Sequence, residues 1–380
     1  MTAYTVDVAR ALPGPAWLRD FRAAAAERVA GRSLPTPDEE IWRYSRIAEL
    51  DLERFRPSAD GWSTTVTGGT ASVMEPVVAT DTGADVFAEL NAAFAPNHLL
   101  ISIPPGKFIS EPIVVDHHIG ADGVAAFPRL IIDAGPDSEV TVLERFRSDD
   151  VDALVVPFTT INVSQAARVR YLAVNELGPR VWQIGAQLAE GARDSTTLIA
   201  SVALGGDYAR VHTTARLLGQ GASGRQIAVY FGEGHQMHDF RTLQEHVGPK
   251  TTSDLLFKGA VQDHSRSVYT GLIKIGKHAK GSVAFQTNRN IKLSDGAWAE
   301  SVPNLDIENN DVKCSHASAV GPIDEDQRFY LESRGVHPSV AERLIVLGFF
   351  DEVIDQLPVP AVAAELRLQV AAKLDRRESE

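Results

Sequence analysis

The chain has 380 residues, 44% of them hydrophobic and 23% charged, proportions that suit a globular protein with a sizeable core. Its 37 basic and 50 acidic residues leave a formal charge of −13, which gives no general attraction to nucleic acid or anionic membrane. A single cysteine excludes an internal disulfide, and no stretch approaches the ~20 apolar residues of a membrane span, so a cytoplasmic protein is expected.

The N-terminal run MTAYTVDVARALPGPAW lacks the basic start and apolar stretch of a secretory signal. The first predicted element is PAWLRDFRAAAAERVA, Pro15 to Ala30. Pro15 suits a first helical position, and Trp17, Leu18, Phe21 and Val29 fall at helix-compatible spacings. A proline-punctuated segment, LPTPDEEIWRYSRI, follows with an acidic pair and two aromatics. The Thr-, Gly- and Ala-rich stretch from Ser58 to about Ala95 receives no assignment, and residues 1–95 form a helical or irregular domain.

From about His98 to Ser315 the pattern is a series of short β-branched runs: LLISI, PRLIIDA, SEVTVLERF, ALVVPFTTINV, RVRYLAV, TTLIASVAL, RQIAVYF and SVYTGLIKI. Gly, Asn, Asp or Pro parts them, and no helix-length amphipathic run intervenes, which excludes alternating βαβ units. A sandwich, a barrel and a β-helix remain. Roughly two hundred residues of modest repeats favour a solenoid whose coils bury their faces on one another. The expected fold is mainly β: a right-handed parallel β-helix core over residues 96–317, flanked by N-terminal and C-terminal helical segments.

Within this core, His235, His238 and His246 suggest a metal site, but extended geometry places His238 and His246 about 27 Å apart and His235 on the other face. Structural or surface roles are expected for them. GLIKIGKH, Gly271 to His278, nearly matches a phosphate-binding loop, yet His278 stands where a magnesium-binding hydroxyl is required and the interior alternates as a strand does. No nucleotide is therefore expected on this chain. A β-helix carbohydrate-active enzyme, a polysaccharide lyase or hydrolase, is the alternative reading of the fold, but it needs two or three converging carboxylates and no compact acidic cluster stands on the strand runs.

Cys314 and His316 are separated by two, so on a strand they point to one side with Cα atoms about 6–7 Å apart. Thiolate and imidazole both suit iron–sulfur clusters. For a bare C-x-H the structural reading comes first: Cys314 as a small buried hydrophobe and His316 as a hydrogen-bonded strand residue. A cluster needs about four ligands and this chain owns one thiol, so a functional pair requires a second protein to complete the set.

Beyond His316 the pattern turns helical. Asp324 is placed to cap DEDQRFYLESR, with Arg334 in the last turn and Gly335 at the end. HPSVAERLIVLGFFDEVIDQL begins near Pro338 and carries Val340, Leu344, Leu347 and Val353 as its apolar stripe. PAVAAELRLQVAAKL is a third helix, and a charged, frayed tail ends a C-terminal helical domain of residues 318–380.

The run CSHASAVGPIDEDQRFYLESRGV, with DLLFKGAVQDHSRSVYTGLIKI and FQTNRNIKLSDGAWAESVPNLDIENNDVK before it, resembles the SufB/SufD family of iron–sulfur cluster assembly proteins. PTPDEEIWRYS is similar to the family's leading segment. The form K-C-S-H at Lys313–His316 resembles the SufD branch, since SufB carries Glu before that histidine and has further cysteines. The resemblance implies a non-catalytic scaffold subunit of a SufBCD-type complex, with a SufB-like subunit and a SufC-like ABC-type ATPase as partners. It further implies that His316 and Cys314 lie near a shared interface where an iron–sulfur cluster forms transiently. The helices from Asp324 to Leu357 would dock the ATPase, with Arg334, Leu344, Phe349 and Phe350 as candidate contacts. Phe349, Phe350 and the α-helical stripe are also readable as a cap on the open end of the β-helix, and a homodimer of the isolated chain stays open.

Overall fold

The β-branched runs form strands that stack as parallel coils. In a computed structural model, which describes residues 3–69, 72–73 and 85–377, the strands fall into a 12-stranded and a 9-stranded sheet. Each main coil gives one strand to each. Tyr208 aligns with Met237 and Met237 with Arg266 on one wall, while Ser223 aligns with Thr252 and Thr252 with Val283 on the other. Interior side chains such as Ile101, Val115, Ile132, Val142, Ile161 and Tyr171 form a buried cluster between the walls. The fold is therefore the expected parallel β-helix with helices at both termini.

One corner makes the stack repeat. Asp137, Ala166, Asp194, Gly221, Lys250 and Gly281 occupy equivalent places, all at positive φ, from 55° at Lys250 to 74° at Gly281. Each donates its backbone N–H to a carbonyl of the next coil, as Asp137 does to Gln165 and Lys250 to Lys280. A left-handed residue other than glycine costs about 1–2 kcal/mol. That cost is tolerated because the conformation aims the N–H along the stack. The following residue is small and buried in every case: Ser138, Ala167, Ser195, Ala222, Thr251 and Ser282.

The N-terminal elements cover the outer face of the 12-stranded sheet. Helix α1 is Val6–Ala11 and α2 is Ala16–Val29, with Pro15 serving as the N-cap just ahead of the position expected for it. The unassigned stretch contains a strand, Trp62–Thr67, and helix α3, Val86–Phe94, whose cap Asp85 accepts from the N–H groups of Phe87 and Ala88. Residues 70–71 and 74–84 of that stretch lie outside the described residues. Trp42, Phe87 and Phe94 pack in one cluster with Trp182, Tyr208, Met237 and Val268 of the sheet.

Three C-terminal helices follow: α4 (Glu325–Ser333), α5 (Pro338–Ile354) and α6 (Pro360–Arg377). Asp324 caps α4 by accepting from the N–H groups of Asp326 and Gln327, and Gly335, at φ 87°, follows Arg334 at its end. α5 and α6 lie on the outer face of the 9-stranded sheet, where Val346, Phe350, Val353, Leu366 and Val370 meet Leu172, Val202, Val229 and Phe231. Lys258 pins α5 there, donating to Phe349 O at 2.7 Å and pairing with Glu352.

This placement corrects two expectations. The buried stripe of α5 is Ala341, Val346, Phe350, Val353 and Ile354, while Val340 and Leu344 are about half exposed. The helices also cover the side of the solenoid and leave its end open, because the apolar outer face of the sheet is what their stripes match. The charged tail is helical through Arg377, and Glu378–Glu380 lie outside the described residues.

The two ends of the solenoid differ. At the first end, Trp62–Thr67 pairs antiparallel with Ile113–Ile119, and Ser72–Val73 with Leu99–Ile103. At the other end the terminal coil is Trp298–Ile307 and Lys313–Gly321, each the edge strand of its sheet. Each pairs on one side only, with Arg266–Ile275 and Val283–Lys292 of the penultimate coil.

Candidate functional site

The terminal coil inherits its side-chain directions from the coil above. Cys314 aligns with Ala284, His316 with Gln286, Ser318 with Asn288 and Val320 with Asn290. On the facing wall Ser301 aligns with Tyr269, Pro303 with Gly271, Leu305 with Ile273 and Ile307 with Ile275. The penultimate-coil partners are buried interior residues. Aligned residues of parallel strands share a face, so the terminal set also faces inward, at an open mouth. Leu305, Ile307 and Val320 are there 37%, 42% and 41% exposed, an apolar surface that a further coil would otherwise cover.

Cys314 and His316 do share the inward side, as their spacing of two requires, but their surroundings separate them. Cys314 is half-buried and packs with Ile273, Ile275, Ala279, Ala284 and Val312. That burial raises its thiol pKa above the ordinary value, which keeps it protonated and a poor ligand in this state. His316 is exposed, and its ring makes no hydrogen bond among the described residues. The imidazole is thus the available donor.

The four candidate contacts in the C-terminal helices divide. Leu344 is half exposed, and Arg334 is exposed with its guanidinium 5.1 Å from the Tyr330 ring centroid. Phe349 is partly buried under the Lys258 ammonium. Phe350 is fully buried, 6.1 Å from Phe231, and has no surface to offer a partner. The sequence reading missed Phe329 and Tyr330, which are 72% and 58% exposed on α4, a helix that buries none of its own side chains. Their signal was two adjacent aromatics in an otherwise charged helix.

The remaining motifs take structural places. His238 is buried with Nε2 3.3 Å from Gly205 O, and His246 is held by Thr251 Oγ1 and Ser253 Oγ at 2.7 and 2.8 Å. His235 lies in the turn before their strand and stacks on His264. Gly271–Ile275 of the phosphate-loop lookalike belongs to the strand Arg266–Ile275 and leads into a turn, so it has no helix N-terminus at which to hold phosphate. Among the described residues no three His, Cys, Asp or Glu side chains converge in metal-binding geometry. The buried carboxylates are internally engaged: Glu89 by Arg28, Glu144 by His117, Thr159 and Tyr171, and Asp239 by Arg210, Arg241 and Tyr208. None of the three is left free for the carboxylate-pair chemistry of the carbohydrate-enzyme alternative.

Residues 117–349 match the family model described as "SUF system FeS cluster assembly, SufBD core domain". An iron–sulfur cluster assembly SufBD family protein of Mycobacterium tuberculosis is 31% identical, the alignment covering 91% of each chain. The iron–sulfur cluster assembly protein SufD of Escherichia coli is 30% identical over 77% of this chain and 70% of its own. The SufD of Bacillus subtilis is 29% identical over 73% of this chain and 64% of its own.

Proposed function

The chain belongs to the SufB/SufD family of iron–sulfur cluster assembly proteins, and from that we propose that it is a SufD-type, non-catalytic scaffold subunit acting in the cytoplasm. Its open end pairs with a SufB-like subunit, and His316 contributes one ligand to a cluster assembled transiently at that junction. The cluster is cargo, and the partner supplies most of its donors. The observation that carries this reading is the terminal coil: two strands of ten and nine residues with unpaired edges, and an unpartnered imidazole between them. Unpaired edges of that length invite a further strand.

Cys314 has a lesser part in this reading. Its protonated, packed state makes it a structural residue of the mouth unless the partner's arrival moves it. The ATPase docks on α4 and α5, where Phe329, Tyr330, Val340 and Leu344 are exposed and Arg334 follows α4. Residues 1–95, 96–317 and 318–380 then serve as brace, scaffold and docking arm.

The test is co-expression of His316→Ala with a SufB-like subunit and a SufC-like ATPase. The complex is expected to assemble and to hold less iron and sulfide than the unaltered one. Equal iron and sulfide in an intact complex would remove His316 from the ligand set.

A further inference from the structure

Gln286 lies inside the penultimate coil, 1% exposed, yet neither its Oε1 nor its Nε2 has a hydrogen-bond partner. Its interior neighbours on the same strand are satisfied: Asn288 donates to Tyr230 OH at 2.9 Å, and Asn290 donates to Asn288 at 2.8 Å. Buried amides without partners are rare and unfavourable, so an orphan of this kind calls for an occupant. Room for the amide comes from the facing wall. A Cβ at Gly271 would stand 2.5 Å from Tyr269 OH and 2.7 Å from both amide atoms of Gln286. The sequence keeps that position bare.

The next position along the stack from Gln286 is His316, its aligned partner on the same interior face. Neighbouring parallel strands lie about 4.8 Å apart, which puts the amide and the imidazole within reach of each other through ordinary side-chain rotation. Ser301 Oγ, on the facing wall of the terminal coil, is likewise buried and unpaired. The mouth therefore holds an amide, a hydroxyl and an imidazole whose hydrogen bonds are all unmade.

A histidine that gives one ring nitrogen to a metal needs an acceptor for the N–H on the other, and that acceptor sets the tautomer and the plane of the ring. We propose that Gln286 is the positioning residue for His316: when a partner closes the mouth, Gln286 Oε1 accepts the imidazole N–H and turns the other nitrogen toward the junction. This rests on His316 acting as a ligand. It adds that the orienting group comes from this chain and not from the partner.

Histidine-selective 15N labelling of the full chain, alone and in its complex with a SufB-like subunit, reads the tautomer of His316 directly. In the unaltered complex one tautomer is expected to dominate. Gln286→Leu is expected to return the ring to the mixed tautomers of free imidazole and to lower iron and sulfide in the complex at least twofold. Its thermal midpoint should stay level or rise, since an apolar group of similar shape replaces an orphaned amide. Gln286→Glu restores an acceptor and is expected to restore both the single tautomer and the loading. An unchanged tautomer and full loading in a folded Gln286→Leu complex would overturn the inference, as would a Gln286→Glu complex that folds but fails to load. If His316→Ala loses iron while Gln286→Leu does not, only the positioning role falls. If His316→Ala retains iron, the ligand role falls first.

Discussion

Arg210 holds its guanidinium 3.8 Å from the ring centroid of Trp42, clamping the N-terminal segment to the solenoid. The same group donates to Ile41 O and to Asp239 Oδ2, both at 2.8 Å. Arg241 donates to Asp239 Oδ1 and to Arg43 O, both at 2.6 Å. One buried carboxylate thus anchors the two guanidiniums that hold Ile41–Arg43. Burial opposes its ionisation, but Arg210 and Arg241 outweigh that and keep its pKa below the ordinary value.

Asp239→Ala should therefore lower stability by about 3–5 kcal/mol, the usual result of leaving buried cations unpaired. Urea unfolding measures the loss. Limited proteolysis should show earlier cleavage between Leu34 and Arg56 than in the unaltered protein.

A second prediction concerns pH. Burial pushes His98 and His238 down to about 3 and His246 to about 4. All three are neutral when folded, whereas the unfolded chain protonates them near 6.5. Below that pH the unfolded state binds more protons. Stability is then complete above about pH 6.5 and falls as the pH drops toward 4, by up to ~1.4 kcal/mol per unit for each group. Urea midpoints between pH 7 and 5 should show this slope, and a folded His238→Gln variant should reduce it by about one proton. An unchanged slope would mean that His238 is protonated in the fold.

Phe350 and Leu344 sit six residues apart on α5 with opposite fates. Phe350→Ala should cost about 3–5 kcal/mol, because the ring is fully buried against Phe231 and leaves a cavity. Leu344→Asp should change stability by no more than about 0.5 kcal/mol. If α4 and α5 dock the ATPase, that same substitution should weaken capture of a SufC-like subunit. Thermal melts and pull-downs of the two variants separate the roles.

Alkylation reports the state of Cys314. The thiolate is the reacting form, and burial raises the pKa of this thiol. Iodoacetamide should therefore modify it slowly at pH 7.5, with a rate that still climbs above pH 9. A rate that levels off near pH 7 would indicate an activated thiolate and revive Cys314 as a ligand.

The solenoid was legible because strand runs without intervening helices leave few architectures, and the caps at Asp324 and Gly335 were legible because those chemistries are local. The coil repeat was not. Tyr208, Met237 and Arg266 are 29 residues apart, but Trp298 falls 32 after Arg266, since turn lengths vary and no residue type marks the corner: Asp, Ala, Gly and Lys all adopt it. The stripe of α5 was misread because Val340 and Leu344 fit helical spacing as well as Val346 and Phe350 do, and only the sheet decides which face turns inward. At the mouth, the shared side of Cys314 and His316 followed from strand geometry. Gln286 escaped notice because an unpaired amide is a property of its neighbours, and the cue in FQTNRNIK, polar residues at interior places with Phe285 outside, emerges only once the walls are known.

The antiparallel edge strands at one end and the parallel edge strands at the other give the solenoid a direction. A strand added at the first end would meet Trp62–Thr67 and Ser72–Val73, which run against the coils, whereas one added at the mouth would meet strands that run with them. A copy stacked head to tail would set the mouth against strands that run the opposite way, so the parallel ladder of the solenoid would not continue across the join.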